Sequence, residues 1–387
     1  MLKKLVSNTV AQLIAKFFGA GLTLLTTYFT IRLAGLPLYG DLSKILVLVA
    51  IGFTLIDFGL NAEAIRRKTP VSTVIITRLL LSIFVLLISN LFIQSLGGGY
   101  SLEVKQVFWL GSLAIIFQGL YTSANAHFQA TLSYWRGTLA VILGSVVGSA
   151  LTLYFLVTAP TLFNLVLANT IGALTLGVSA LLLLPSLSDI RYSISEIHHL
   201  LKSSLLLGLI LIASTVASKV DTVLLGIFRT SSEVGAYSFA YRIFDVILVF
   251  PVYVMNAVYP LLLSPKNTSN LISKTLVSLS LVGVVAGGVL WFCAPLVLYV
   301  KPELALAVPV LRILSLSTPL FYLTAPLMWQ LISRQKDHLV LRVYLLAMLL
   351  NFFLNFIFIP SFGILAAATI TGLTELFIFL SLLYFSR

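Results

Sequence analysis

The sequence predicts an all-α integral membrane protein of about twelve transmembrane helices in two six-helix bundles, with both termini cytoplasmic. Three observations carry that expectation. Of 387 residues, 59% are hydrophobic and only 9% are charged, against roughly 25% charged in soluble globular chains. Too few polar residues exist to cover a water-facing surface, so lipid is the solvent. The apolar residues fall into runs of the length a spanning helix needs, about 20 residues. The basic residues alternate with those runs as the positive-inside bias requires.

In chain order the candidate spans are 8–31, 42–63, 72–95, 105–126, 137–158, 161–184, 200–228, 236–260, 274–298, 305–332, 340–359 and 363–385. The first follows Lys3 and Lys4 as a signal peptide would. Gln12 and Lys16 interrupt it, however, it runs on to Ile31, and no small-residue cleavage site follows, so it reads as the first transmembrane helix. Residues 137–188 hold no charge over 52 positions, and Ala159-Pro160 supplies the turn between two spans. Another 32 uncharged residues separate Arg342 from Glu375, with Pro360-Ser361-Phe362-Gly363 as the connector.

With the N-terminus inside, fifteen Lys and Arg, Arg78 among them, flank the cytoplasmic ends. Five lie on the opposite side (Arg32, Lys44, Lys105, Arg229, Lys301), and four fall inside helices (Lys16, Lys219, Arg242, Arg312). The polar stretch 185–199, with Asp189, Arg191, Glu196, His198 and His199, reads as a cytoplasmic linker between bundles 1–184 and 200–387. The bundles show a weak parallel repeat: Gly40, Asn61 and Ala62 match Gly235, Asn256 and Ala257 at a constant offset of 195. Transporters often carry such repeats, with the site between them.

Several chemistries are excluded. The one cysteine, Cys293, permits neither an internal disulfide nor a thiol-rich metal site. The net charge of +12 is spread singly between apolar runs, a pattern unlike a nucleic-acid-binding surface. His127, His198 and His199 lack metal-ligand spacing. No cofactor, no metal and no catalytic residue are expected.

An ionisable side chain at membrane depth costs roughly 2.5 kcal/mol or more and is a functional candidate by default. The first span carries Gln12, Lys16, Gly19, Thr23, Thr27 and Thr30 at helical spacing, and the seventh carries Ser204, Gly208, Thr215, Lys219, Thr222 and Gly226. Such stripes read either as packing seams or as the wall of a wet cavity. By depth, Lys219 and Asp221 share a level with Arg242 and Asp245, roughly 10–15 Å below the outer surface. Lys16 shares a level with Asp57, Arg312 has no neighbouring acid, and Glu375 comes near the midplane. Arg242 with Asp245 and Lys16 with Asp57 read as assembly pairs, or as parts of an anion-attracting cavity whose acids modulate it or carry protons. Pro251, Pro309, Pro319 and Pro326 mark candidate kinks.

The segment Asn351 to Leu376 resembles the penultimate helix, short turn and last helix of the Wzx-type polysaccharide-unit flippases. These belong to the superfamily that also holds multidrug extruders and the peptidoglycan-lipid flippase. Asn351, Asn355, Ile359-Pro360, Gly363, Ala366 to Ala368, Thr371 and Glu375 fit that pattern. Asp221 to Gly226 with Glu233 to Tyr237 resembles the family's turn between helices 7 and 8, and Leu38-Tyr39-Gly40 with Asp57 to Leu60 its first hairpin. The resemblance implies a multidrug-extruder-like fold with a central cavity. It implies passage of a polyprenyl-diphosphate-linked oligosaccharide from the inner to the outer leaflet of the bacterial cytoplasmic membrane. Lys16, Lys219, Arg242 and Arg312 would offset the charge of the diphosphate, with Arg32 at the outer mouth. Asp57, Asp221, Asp245 and Glu375 are the acids available for coupling, and Asn351 and Asn355 are polar helix positions. The implied partners are the lipid-linked oligosaccharide, membrane lipids and a polysaccharide polymerase. A cation-coupled antiporter of the multidrug-extruder type is the alternative. An enzyme of the polymerase or glycosyltransferase type would need a long surface loop that the sequence lacks.

Overall fold

The computed structural model describes residues 17–185, 193–262 and 268–386. Among them the chain is helical with no strand, and it forms two compact units, one up to Ile212 and one from Ala213 onward.

In unit 1, α1 (Phe17–Ala34) ends in a π-helical turn at Thr30–Ala34, and Gly35 at φ 90° turns the chain into α2 (Leu36–Asp57). α3 (Leu60–Arg67), α4 (Val71–Ser95), α5 (Leu102–Ala130), α6 (Tyr134–Thr158) and α7 (Leu162–Leu182) follow, with the first part of α8 (Ile194–Phe228). The hydroxyls of Ser101 and Thr161 accept the exposed amides of Val104 and Asn164 at the starts of α5 and α7, the usual way a helix start is satisfied.

The expected span 42–63 is not one helix. α2 stops at Asp57 because Phe58 and Gly59 both take left-handed backbone angles (φ 45° and 69°). A side chain on Gly59 would also meet Leu207 of α8 at 2.9 Å, while one on Gly208 would meet the Phe58 ring at 2.8 Å. This part of the polar stripe on α8 is therefore a packing seam. Part of the expected linker 185–199 is helical, since α8 already begins at Ile194.

Unit 2 holds the rest of α8, then α9 (Ser231–Leu262), α10 (Thr268–Cys293), two 3-10 turns (Ala294–Tyr299 and Pro302–Leu306) and α11 (Ala307–Ser333). The last helical stretch, Asp337–Ser386, is 50 residues long. It would reach about 75 Å if straight, far beyond the ~30 Å hydrocarbon core. It breaks at Gly363 (φ 60°, ψ −139°), giving two crossings, α12 (337–362) and α13 (364–386). Eleven helices are long and apolar enough to cross a membrane, and this break makes the crossings twelve among the described residues. Val277, Leu281 and Val285 leave an exposed apolar stripe on α10, 59–65% open, which suits lipid and would be costly in water.

Candidate functional site

The buried charges of unit 1 are basic. Arg78, expected to flank a helix at the cytoplasmic side, lies on α4 and is fully buried. Its guanidinium donates to the Ile56 carbonyl (3.1 Å), the Ser123 hydroxyl (3.2 Å), the Asn61 side chain (3.0 Å) and Asp57, both its carbonyl (3.4 Å) and its carboxylate (3.2 Å). Arg78 thus caps the carbonyls left open where α2 breaks, a role that a planar five-donor fork suits. Asp57 is paired with Arg78; Lys16, expected at its level, lies outside the described residues. Lys44, expected as an outer charge, is also fully buried. It donates to Asp41 (2.8 Å) and the Gly99 carbonyl (2.6 Å), with the Tyr100 ring 5.9 Å away. Burial pushes the Tyr100 phenol, in the turn before α5, above its ordinary range. Arg32 is exposed and donates to Tyr28 at 2.9 Å.

The buried charges of unit 2 are acids. Asp221 on α8 is fully buried and accepts from the hydroxyls of Tyr237 on α9, Thr371 on α13 (3.3 Å) and Thr222 (3.2 Å) and from the Thr222 amide. Lys219, two residues earlier, pairs with Asp245 on α9 at 3.2 Å and lies 4.6 Å from the Tyr241 ring centre. Asp245 thus bonds a lysine of the neighbouring helix; Arg242 is half-buried on α9. Arg312 on α11 stacks on Trp291 at 5.5 Å, and its Nε has no hydrogen-bond partner. Arg229 ties the α8–α9 turn to the α12–α13 break through Glu233 (3.0 Å) and the Pro360 carbonyl (3.3 Å).

Asn355 donates to the side chain of Asn351 one turn earlier (2.8 Å), and Asn351 donates to Thr374 on α13 (3.0 Å). Glu375, next to Thr374, is buried and bonded to Thr324 of α11. Asn351, Thr371, Thr374 and Glu375 line a cavity of about 270 Å3 inside unit 2, with Ser218, Tyr241 and Tyr344. Among the described residues no three of His, Cys, Asp and Glu come together as metal ligands.

Reading by sequence missed Arg78, Lys44, Thr324 and the tyrosines. Tyr237 and Tyr241 did carry a signal, two phenols one turn apart on a helix facing Asp221. Arg78 carried none that distinguishes it from a loop-flanking charge.

Residues 32–267, more than half of the chain, match the family model described as polysaccharide biosynthesis protein. The chain belongs to that family. Across 96% of its length it is 26% identical to the probable low-salt glycan biosynthesis flippase Agl15 of Haloferax volcanii, of which it covers 81%. Its fold is similar to that of the lipid II flippase MurJ in an inward closed conformation (TM-score 0.82, 16% identity, 96% of this chain and 86% of that one). It is also similar to an inward-facing multidrug transporter of the MATE family (TM-score 0.73, 13% identity, 94% of this chain and 92% of that one). The multi-pass membrane architecture expected from the sequence is thus shared with solved transporters.

Proposed function

We propose that this chain flips a polyprenyl-diphosphate-linked oligosaccharide from the inner to the outer leaflet of the cytoplasmic membrane by alternating access, without making or breaking covalent bonds in it. The observation that carries the reading is the end-to-end match with a glycan flippase, 96% of this chain. The chemistry agrees. A diphosphate is a dense anion whose entry into a membrane protein must be offset by cations. Lys219, Arg242 and Arg312 lie within spanning helices, and Arg312 has an N–H to spare. We assign these three to the diphosphate, with Lys16 and Arg32 as further contacts. Both termini lie in the cytoplasm, and a polymerase receives the delivered unit. Asp245 holds Lys219 in place, Asp57 serves assembly through Arg78, and Asp221 and Glu375 are the coupling candidates.

Reconstituted proteoliposomes loaded with the lipid-linked oligosaccharide test this, with sugar exposure scored by an external lectin or glycosidase. Wild type is expected to expose the sugar. Removing one phosphate-facing cation forfeits a charged hydrogen bond of about 1.5–3 kcal/mol, so Lys219→Ala and Arg242→Ala should each weaken apparent substrate affinity by roughly tenfold or more. Unchanged flipping in both variants would make these charges assembly elements. A wild type that moves no lipid but extrudes a small organic cation would establish the antiporter instead.

A further inference from the structure

Pro251 lies inside α9, and Pro319 and Pro326 lie inside α11. A proline has no N–H, so within a helix it leaves the carbonyl four residues earlier without its donor. The carbonyls freed in this way are those of Ile247, Ser315 and Tyr322. A backbone carbonyl left unpaired inside a membrane protein is costly. Tyr322 of α11 is buried, and its hydroxyl donates to the Ile247 carbonyl of α9 at 2.8 Å. It gives α9 the proton that Pro251 lacks, from a residue whose own carbonyl Pro326 has freed.

Both neighbouring helices hold the ring. It stacks on Phe250 of α9, with centroids 6.1 Å apart and planes at 17°. On α10, a side chain at Gly283 would meet the Tyr322 Cβ at 3.0 Å and Pro319 at 3.1 Å. One turn on, a side chain at Gly287 would meet the freed Ser315 carbonyl oxygen at 2.6 Å. These two glycines let α10 lie directly on the proline-containing stretch of α11. Tyr322 therefore has little room to turn, and what can be exchanged is its hydrogen bond. The cavity of unit 2 runs along the same pair of helices. Leu248, Pro251 and Val252 of α9 and Phe321, Thr324 and Ala325 of α11 line it, so residues beside both ends of the Tyr322–Ile247 bond form its wall.

We infer that Tyr322 is the latch of a hinge shared by α9 and α11. While its hydroxyl holds the Ile247 carbonyl, the proline segments of the two helices are tied together. When cavity water takes that carbonyl, α9 and α11 bend independently at their prolines and the cavity wall moves. Prolines are where helices bend, and the freed carbonyl is the cost that the latch offsets. A neutral hydrogen bond exchanged for one to water changes little in free energy, so this contact opens and closes. Arg78, with its five bonds, does not. Tyr322 is thus a positioning residue, acting through the helices that carry the cavity wall. The latch stands on the proline spacing and the hydrogen bond; its use in a transport cycle rests on the flippase reading.

Hydrogen–deuterium exchange of the full-length protein in detergent tests the latch. Tyr322→Phe keeps the ring and removes one neutral hydrogen bond, so deuterium uptake over 248–255 should speed up roughly two- to tenfold. Pro251→Ala restores an N–H to the Ile247 carbonyl, and in that background Tyr322→Phe should leave uptake unchanged. Pro251→Ser, which restores the same N–H, takes its place if Pro251→Ala does not fold. Equal acceleration in both backgrounds, or none in either, overturns the latch. In proteoliposomes Tyr322→Phe should change the flipping rate per folded molecule by a similar factor, with no further effect in Pro251→Ala. Wild-type flipping in Tyr322→Phe overturns the hinge's part in transport. The expected exchange pattern in a protein that moves no lipid would sink the flippase reading and leave the latch standing.

Discussion

In unit 1 the deepest charges are cations with a full set of partners. Arg78 makes five hydrogen bonds, and Lys44 bonds both an acid and a carbonyl. In unit 2 the deepest charges are acids, and one of them, Glu375, has a single hydroxyl beside a cavity. All four side chains are buried in the protein, but the consequences differ. A buried charge whose donors and acceptors are all used holds the fold, whereas one with too few partners has something left to exchange. The weak repeat at offset 195 sharpens the contrast. Phe58 and Gly59, where α2 breaks, correspond to Tyr253 and Val254, where α9 runs on as helix, and Arg78 corresponds to Ser273.

The largest effect is expected at the cap of that break. Arg78→Leu strands Asp57, Asn61 and two carbonyls, and breaking a buried pair from one side costs about 3–5 kcal/mol. Thermal unfolding in detergent should show it as a large loss of stability, and a variant that melts with wild type would show that the cap is dispensable. Next comes Gly59→Ala, which forces a side chain into left-handed backbone at about 1–3 kcal/mol and pushes on Leu207. At the matching position Val254→Gly should cost no more than about 1 kcal/mol of backbone entropy, beyond the small side chain lost. Equal losses at the two positions would erase the difference between α2 and α9. Asp221→Asn keeps the shape but turns an amide donor on hydroxyls that were donating, a mismatch of about 2 kcal/mol, readable in the same melts. The smallest change belongs to Glu63→Ala at the exposed end of α3, where pairs with Arg66 and Arg67 are worth less than about 1 kcal/mol.

Much of this architecture was legible in the residues. The apolar runs and the Pro360 to Gly363 connector placed the crossings because lipid imposes both length and polarity on a spanning helix. Asn351 and Asn355 could be read as one face because they are four apart. The break at Phe58-Gly59 was not legible, since its neighbours continue a helical pattern and only tertiary contact with Leu207 and Gly208 holds it. Nor was the inward turn of Arg78, eight residues beyond Pro70 at a helix start, where a loop-flanking cation would sit equally well. Thr324 and Glu375 are 51 residues apart on different helices, and no spacing rule joins them. Asp245 illustrates the same limit: its ion pair with Lys219 joins two helices across 26 positions, which no local spacing marks.

The most direct test compares flipping rate per folded molecule for one charge from each unit in the same proteoliposomes. Asp57→Asn should insert at lower yield but flip the lipid-linked oligosaccharide at close to the wild-type rate once folded. Glu375→Gln should insert normally and lose gradient-driven flipping. The reverse pattern, Asp57→Asn folded but inactive and Glu375→Gln fully active, would contradict the division between charges that hold the fold and a charge that works.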